Sequence, residues 1–275
     1  MTDGHDIIAG QSIELLKKLH ILTRDGKLNQ DSRRKLKQVN HLFRFIEPLL
    51  NDICRDHPGL MLVDHGAGKS YLGFILYDLY FKHLESDFRI IGIETRDELV
   101  AKSRILSDKL GFNKMRFYNI SVAESTSSKD IPETVDIVTA LHACDTATDD
   151  AIRFALHKKA RHIVLVPCCQ AEVAAVLRKN KSIALASKSL TEIWRHPIHT
   201  REFASLLTNV LRCLQLEAHG YQVTVTELVG WEHSMKNELI IATYKNLPRL
   251  RPSERLNDLL NSLGISELKD RFFIR

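Results

Sequence analysis

Two carboxylates, a glycine turn and a few histidine and cysteine side chains are the groups whose types and spacing suit chemistry. Asp64 follows the apolar run Leu60-Met61-Leu62-Val63, and His65-Gly66-Ala67-Gly68-Lys69-Ser70 leads from it into a helical stretch. Glycines at such a turn let a ligand approach the backbone, and a helix start offers it free N–H groups. Glu94 closes a second apolar run, Ile90-Ile91-Gly92-Ile93. A carboxylate there is placed to accept hydrogen bonds from ribose hydroxyls. The pair points to a ligand that carries a nucleoside.

Three ligands compete for the turn. A phosphate-cradling loop requires Gly-x-x-x-x-Gly-Lys-Ser/Thr. Gly68-Lys69-Ser70 supplies its end, but the first glycine falls on Val63 inside the apolar run. A dinucleotide fingerprint requires Gly-x-Gly-x-x-Gly, and its last position is Tyr71, which obstructs close helix–strand packing. Asp64 is also poorly placed beside a pyrophosphate. S-adenosylmethionine has no phosphate and carries a cationic end that suits Asp64, while its ribose suits Glu94. The sequence favours S-adenosylmethionine as cofactor, with Asp64, His65, Gly66, Ala67, Gly68 and Glu94 around it. Leu141, at the end of a later apolar run, is a further candidate to line the cofactor pocket. Asn119 and Ser121 suit the flanks of the adenine ring or form a simple turn.

His142, Asp145 and Cys168 are the candidate catalytic residues. His142 or Asp145 suits a general base or a group that orients the acceptor. Cys168 or Cys169 suits attack on a pyrimidine ring. Alternatively, the cysteines pack as small apolar side chains. His142, Cys144, Cys168 and Cys169 form a conceivable zinc set. Adjacent cysteines chelate one ion poorly and no Cys-x-x-Cys pair exists, so no metal is expected.

Composition limits the partners. The chain has 275 residues, 44% of them hydrophobic, enough for a sizeable core. Five cysteines with an adjacent pair fit a reducing compartment better than a disulfide framework. No apolar run is long enough to span a bilayer. The start, Met1-Thr2-Asp3-Gly4-His5-Asp6, lacks a signal-peptide pattern. The cytoplasm is the expected location and no membrane the expected partner. A formal charge of +5 is mildly basic and does not by itself imply nucleic acid.

The cations are uneven. Arg33, Arg34, Lys35 and Lys37 make a candidate polyanion-contacting face, with Arg34 and Lys37 as substrate contacts. Trp194-Arg195-His196-Pro197 offers aromatic and basic groups suited to stack on a base and hold a phosphate, through Arg195 and His196. A loop ending in a helix cap, with Thr200 before Arg201, is the plainer account. Lys236 and Asn237 are placed to close the pocket. The tail from Arg249 interleaves acids with bases and reads as a solvated helix. Structured RNA, ribosomal or transfer, is the favoured substrate, with a protein substrate or a noncatalytic RNA- or protein-binding module of the same fold as the alternatives.

Alternating elements position these groups. Helical periodicity covers about 11–20 and 31–52, then strands near 60–64, 88–94, 115–120, 135–141 and 161–167 alternate with helices near 70–84, 97–110, 146–158 and 170–179. That order argues for a parallel sheet. Two late runs, 222–228 and 238–244, have no helix between them and form an antiparallel pair. The expected organisation is a helical extension over 1–54, a cofactor-binding domain over 55–246 and a helical tail over 247–275.

Leu141-His142-Ala143-Cys144-Asp145, Pro167-Cys168-Cys169 and Glu232-His233-Ser234-Met235-Lys236-Asn237, together with Asp64-x-Gly66-x-Gly68-Lys69, resemble a family of S-adenosylmethionine-dependent methyltransferases. Its signatures are Leu-His-Ala-Cys-Gly/Asp and Pro-Cys-Cys. The family includes methyltransferase-like proteins once labelled ribosomal RNA adenine dimethylase-domain proteins, and the methyltransferase half of a glutathione-transferase C-terminal-domain protein. The resemblance spans about 31–244. It implies an α/β fold, the class I Rossmann-like seven-stranded sheet of five parallel strands and a closing hairpin, with S-adenosylmethionine as methyl donor. The chain departs from the commonest pattern at Ser70 and Asp145, where glycine is frequent.

Overall fold

The computed structural model describes residues 7–28, 30–56, 59–85, 87–141, 143, 145–167, 171–180, 188–228 and 238–273. Its centre is a seven-stranded sheet in the order β3-β2-β1-β4-β5-β7-β6. The strands are β1 (Leu60–His65), β2 (Phe88–Ile93), β3 (Met115–Tyr118), β4 (Ile137–Leu141), β5 (His162–Val166), β6 (Tyr221–Glu227) and β7 (Glu238–Tyr244). β1 to β5 are parallel, and β7 runs antiparallel to both β5 and β6. The expected sheet and closing hairpin are present.

β1 is covered on both faces, which is why it reads as a continuous apolar run. Leu62 packs on one side with the helices α2 (Gln30–Asp56) and α3 (Tyr71–Leu79). Val63 packs on the other with α6 (Thr146–His157). Along α2, Leu36, Val39, Phe43, Ile46, Leu50 and Ile53 recur every three or four residues and are all buried. They share a core with Leu62, Phe74 and Ile90, so the N-terminal helices and the sheet form one packed unit.

Two helices differ from the sequence reading. The segment from Trp194 does not end in a Thr200 cap. It enters α8 (Pro197–Glu217) at Pro197, where the missing N–H is harmless. Thr200 lies inside that helix and its hydroxyl donates to the carbonyls of Ile193 and His196, both at 3.3 Å. The tail is more than a solvated helix. Leu256 and Leu260 of α9 (Leu250–Ser262) and Phe272 of α10 (Lys269–Phe272) are buried with Leu207, Leu211 and Leu214 of α8. Charge interleaving described only the outward face of α9. Among the described residues no helix is long and apolar enough to cross a membrane.

Candidate active site

The chain order reverses between β1 and β4, so the ligand crevice lies beyond the carboxyl ends of these strands. Gly66 and Gly68 take φ of +61° and +58°. Side-chain-bearing residues rarely adopt that region. A Cβ on Gly66 would lie 3.7 Å from the Ala143 Cβ, and one on Gly68 would lie 3.8 Å from the Arg96 guanidinium. The turn is bare where it faces the β4 loop and the chain after β2.

Glu94 closes that turn from the β2 side. Its carboxylate accepts from Gly68 N–H at 2.9 Å and Arg96 N–H at 3.0 Å. The Arg96 guanidinium donates to both oxygens, at 3.0 and 3.1 Å. Burial pushes the Glu94 pKa up, but the hydrogen bonds from Arg96 and Gly68 and the Arg96 charge outweigh it. Glu94 is therefore held below the ordinary carboxylate range. Arg96 itself is 60% exposed. Asn119 lies beside this loop and its side-chain amide donates to the Thr95 carbonyl at 3.1 Å.

Asp64 lies beneath the turn. It is 2% exposed and accepts from the Thr139 hydroxyl at 2.7 Å. Burial raises its pKa to about 7, against the lowering effect of Thr139. His65 corrects the sequence reading more sharply. Its ring is buried against Phe154 with centroids 4.3 Å apart, so the side chain packs under the sheet instead of lining the crevice. Burial lowers its pKa to about 3, so it stays neutral. Ala67, half-buried, donates its N–H to the Ile93 carbonyl at 3.0 Å and pins the turn to β2.

Leu141 pairs in register with Val166, which brings the loops after β4 and β5 to one edge, as the motifs require. Asp145 is the N-cap residue of α6, with φ +49° and ψ −121°. Its carboxylate accepts from Ala171 and Glu172 N–H, at 3.0 and 3.3 Å, at the start of α7 (Glu172–Lys179). Asp145 thus ties the two loops together and is a strut, not a free base. His142, Cys144, Cys168, Cys169, Lys236 and Asn237 lie outside the described residues, and with them the zinc set. Among the described residues no group of three or more histidine, cysteine or acidic side chains gathers as metal ligands.

Three further placements differ from the sequence reading. Ser121 caps α5 (Val122–Ser127) in a reciprocal box with Glu124, which gives its side chain a structural role at this turn. The Ser-x-x-Glu spacing is a signal that reveals it. Trp194 is 5% exposed and packs on Phe203, so it offers no face to a base. Arg195 pairs with Glu192 at 3.2 Å, and His196 is exposed beside His199. Arg34 and Lys37 are exposed on α2.

Arg212 is the residue the sequence reading missed. It is fully buried on α8 and grips Asp149 of α6 with two hydrogen bonds, 2.7 and 2.9 Å. It also donates to the Asp145 carbonyl at 2.9 Å and to Asn209, which in turn donates to Glu238 of β7. One guanidinium thus holds the β4 loop against the hairpin side.

The donor set fits S-adenosylmethionine. A bare turn offers backbone, an ionised Glu94 offers two acceptor oxygens at a ribose position, and no phosphate cradle is required. Residues 34–176 match the family described as Methyltransferase domain. The chain belongs to that family. The matched stretch is a methyltransferase domain. The chain is 25% identical over 237 residues to a glutathione S-transferase C-terminal domain-containing protein of Bos taurus, covering 79% of this chain and 34% of that one. A homolog of that protein in Drosophila melanogaster is 25% identical over 232 residues, covering 77% and 37%. The chain spans only about a third of the length of these relatives. The magnesium protoporphyrin IX methyltransferase of Synechocystis with bound SAH is 14% identical, with a TM-score of 0.49 over 84% of this chain and 95% of that one.

Proposed function

We propose that this chain is an S-adenosylmethionine-dependent methyltransferase and that it acts on RNA. The supporting observation is the distribution of cations. Lys69 on the turn and Lys18, Lys102 and Lys109 on the helices beside it have no ion pair with any described residue. Unpaired ammonium groups around the glycine turn favour a polyanionic substrate.

In this reading, the cofactor supplies an electrophilic methyl group on a sulfonium. The chain's own residues bind and orient. Glu94 accepts the ribose hydroxyls, which replace the exposed guanidinium of Arg96. Gly66 and Gly68 let the ligand lie against the backbone. Asp145 and Arg212 join the starts of α6 and α7 to α8, and His142 is the proposed acceptor-side base. Arg34, Lys37, Arg195, His196, Lys236 and Asn237 remain candidate substrate contacts, and Cys168 remains a candidate catalytic residue.

Radiolabelled methyl transfer into RNA and protein fractions from a strain lacking the protein tests the reading. Wild type is expected to label RNA. Glu94→Gln is expected to weaken SAH binding about tenfold or more, because hydrogen bonds to a charged acceptor contribute about 1.5–3 kcal/mol. Label confined to protein would overturn the substrate class.

A further inference from the structure

Lys18, Lys69, Lys102 and Lys109 converge on one cavity of about 310 Å³ with His20 at its edge. The cavity lies between the end of α1 (Ile13–Lys18), the glycine turn and the helix α4 (Asp97–Leu110). Its floor is apolar, with Leu19 buried and Leu99 and Leu106 half-buried, and Ile105 is 54% exposed at the rim. Lys102, Leu106 and Lys109 recur at three- and four-residue spacing, so they share one face of α4. From Leu99 to Lys109 that face runs about 15 Å along the helix. A second cavity, of about 690 Å³, shares Lys18 and His20 and adds Lys17 and Arg24, with Glu14 as its carboxylate. The two form a continuous basic track.

We propose that this track binds the phosphodiester backbone of the RNA whose methylation is proposed above, and so it rests on that reading. Four observations carry it. The lysines come from three separate elements, so the fold gathers like charges that repel one another. None of the four has an acidic partner among the described residues. Lys69 follows Gly68, whose N–H meets Glu94, so the track begins at the cofactor turn. An apolar floor beneath a cationic rim matches a ligand with flat bases and charged phosphates.

Fluorescence anisotropy with a labelled oligouridylate of about 20 nucleotides, between about 50 and 200 mM KCl, tests the track. The full chain and Lys102→Gln/Lys109→Gln are compared, with SAH calorimetry on each. Both lysines are exposed on α4, so the variant should fold. The expected result is about tenfold weaker RNA binding, with the salt slope reduced by about 1.4, roughly 0.7 for each phosphate that is no longer neutralised. SAH uptake should be unchanged. Equal oligouridylate binding by the two proteins overturns the track. If both also label RNA equally, the RNA reading survives and the track alone falls. Tighter binding of a polyglutamate peptide than of oligouridylate overturns it in favour of an acidic protein partner.

Discussion

The β1–β2 half and the β4–β5 half of the crevice are built differently. Around β1 and β2 short-range contacts stand beside long ones, with Glu94 reaching Gly68 26 residues away and Asp64 reaching Thr139 75 residues away. Glu94 meets Arg96 two residues away, and the turn at 66–68 makes its own shape. Around β4 and β5 the geometry comes from afar. Asp145 reaches Ala171, and Arg212 reaches back to Asp149 and to the Asp145 carbonyl, 63 and 67 residues away in the chain. The glycine-turn side shapes itself in part from neighbouring residues, whereas the β4–β5 side is held by a helix from much later in the chain. The contrast separates two tasks: gripping a constant ligand, and fixing a loop against a variable one.

The largest expected effect probes the transfer side. Arg212→Ala leaves Asp149 buried without its partner, a loss of about 3–5 kcal/mol. Urea unfolding should show it, and methyl transfer should fall more than SAH affinity in protein that remains folded. A variant as stable as wild type would break the comparison, because the transfer side would then not depend on that guanidinium.

A smaller effect belongs to Asp64 on the cofactor side. The folded protein binds a proton at Asp64 up to about pH 7, whereas the unfolded chain releases it near 3.8. Stability from this group is complete below 3.8 and is lost as the pH rises through 7. Asp64→Asn, which cannot ionise, should therefore exceed wild type by on the order of a few kcal/mol at about pH 8. The two should converge at about pH 4. Urea midpoints at the two pH values read the difference, and a wild type as stable as the variant at the higher pH would show Asp64 ionised and well partnered.

The smallest effect compares the halves directly. Ser70 and Asp145, the two departures from the family pattern, both take positive φ, +52° and +49°. Ser70 is also fully buried, and its hydroxyl has no hydrogen-bond partner among the described residues. Ser70→Gly should stabilise by about 1 kcal/mol through relief of the backbone. Asp145→Gly gains similar relief but loses the cap on α7, about 1 kcal/mol, and should come out near zero or below. Thermal melts of the pair sharpen the contrast, and equal gains would deny Asp145 its role as a strut.

The glycine turn, the strand-end acids and the five parallel strands were legible because each is written in contiguous residues. The burial of His65 was not. Its neighbour Gly66 suggests a ligand site, but alternation along β1 sends the side chain with Val63 toward Phe154. The capping box at Ser121 was legible in its own spacing, yet its place after β3 also suits a cofactor role, and only the folded loop separates the two. α8 was hidden because Trp194, Arg195 and His196 give it a polar entry, while the periodic Leu207, Leu211 and Leu214 follow only after Pro197.

By itself, the sequence determined the order of strands, the bare turn and the two acids, because backbone preference and apolar periodicity act over neighbouring residues. Only the tertiary structure decided which charges would be neutralised. A buried guanidinium such as Arg212 needs carboxylate and carbonyl partners from distant helices, whereas Lys18, Lys69 and Lys102 acquire shared meaning only when α1, the turn and α4 meet. Desolvation and Coulomb repulsion depend on distance in space, and distance along the chain does not report it.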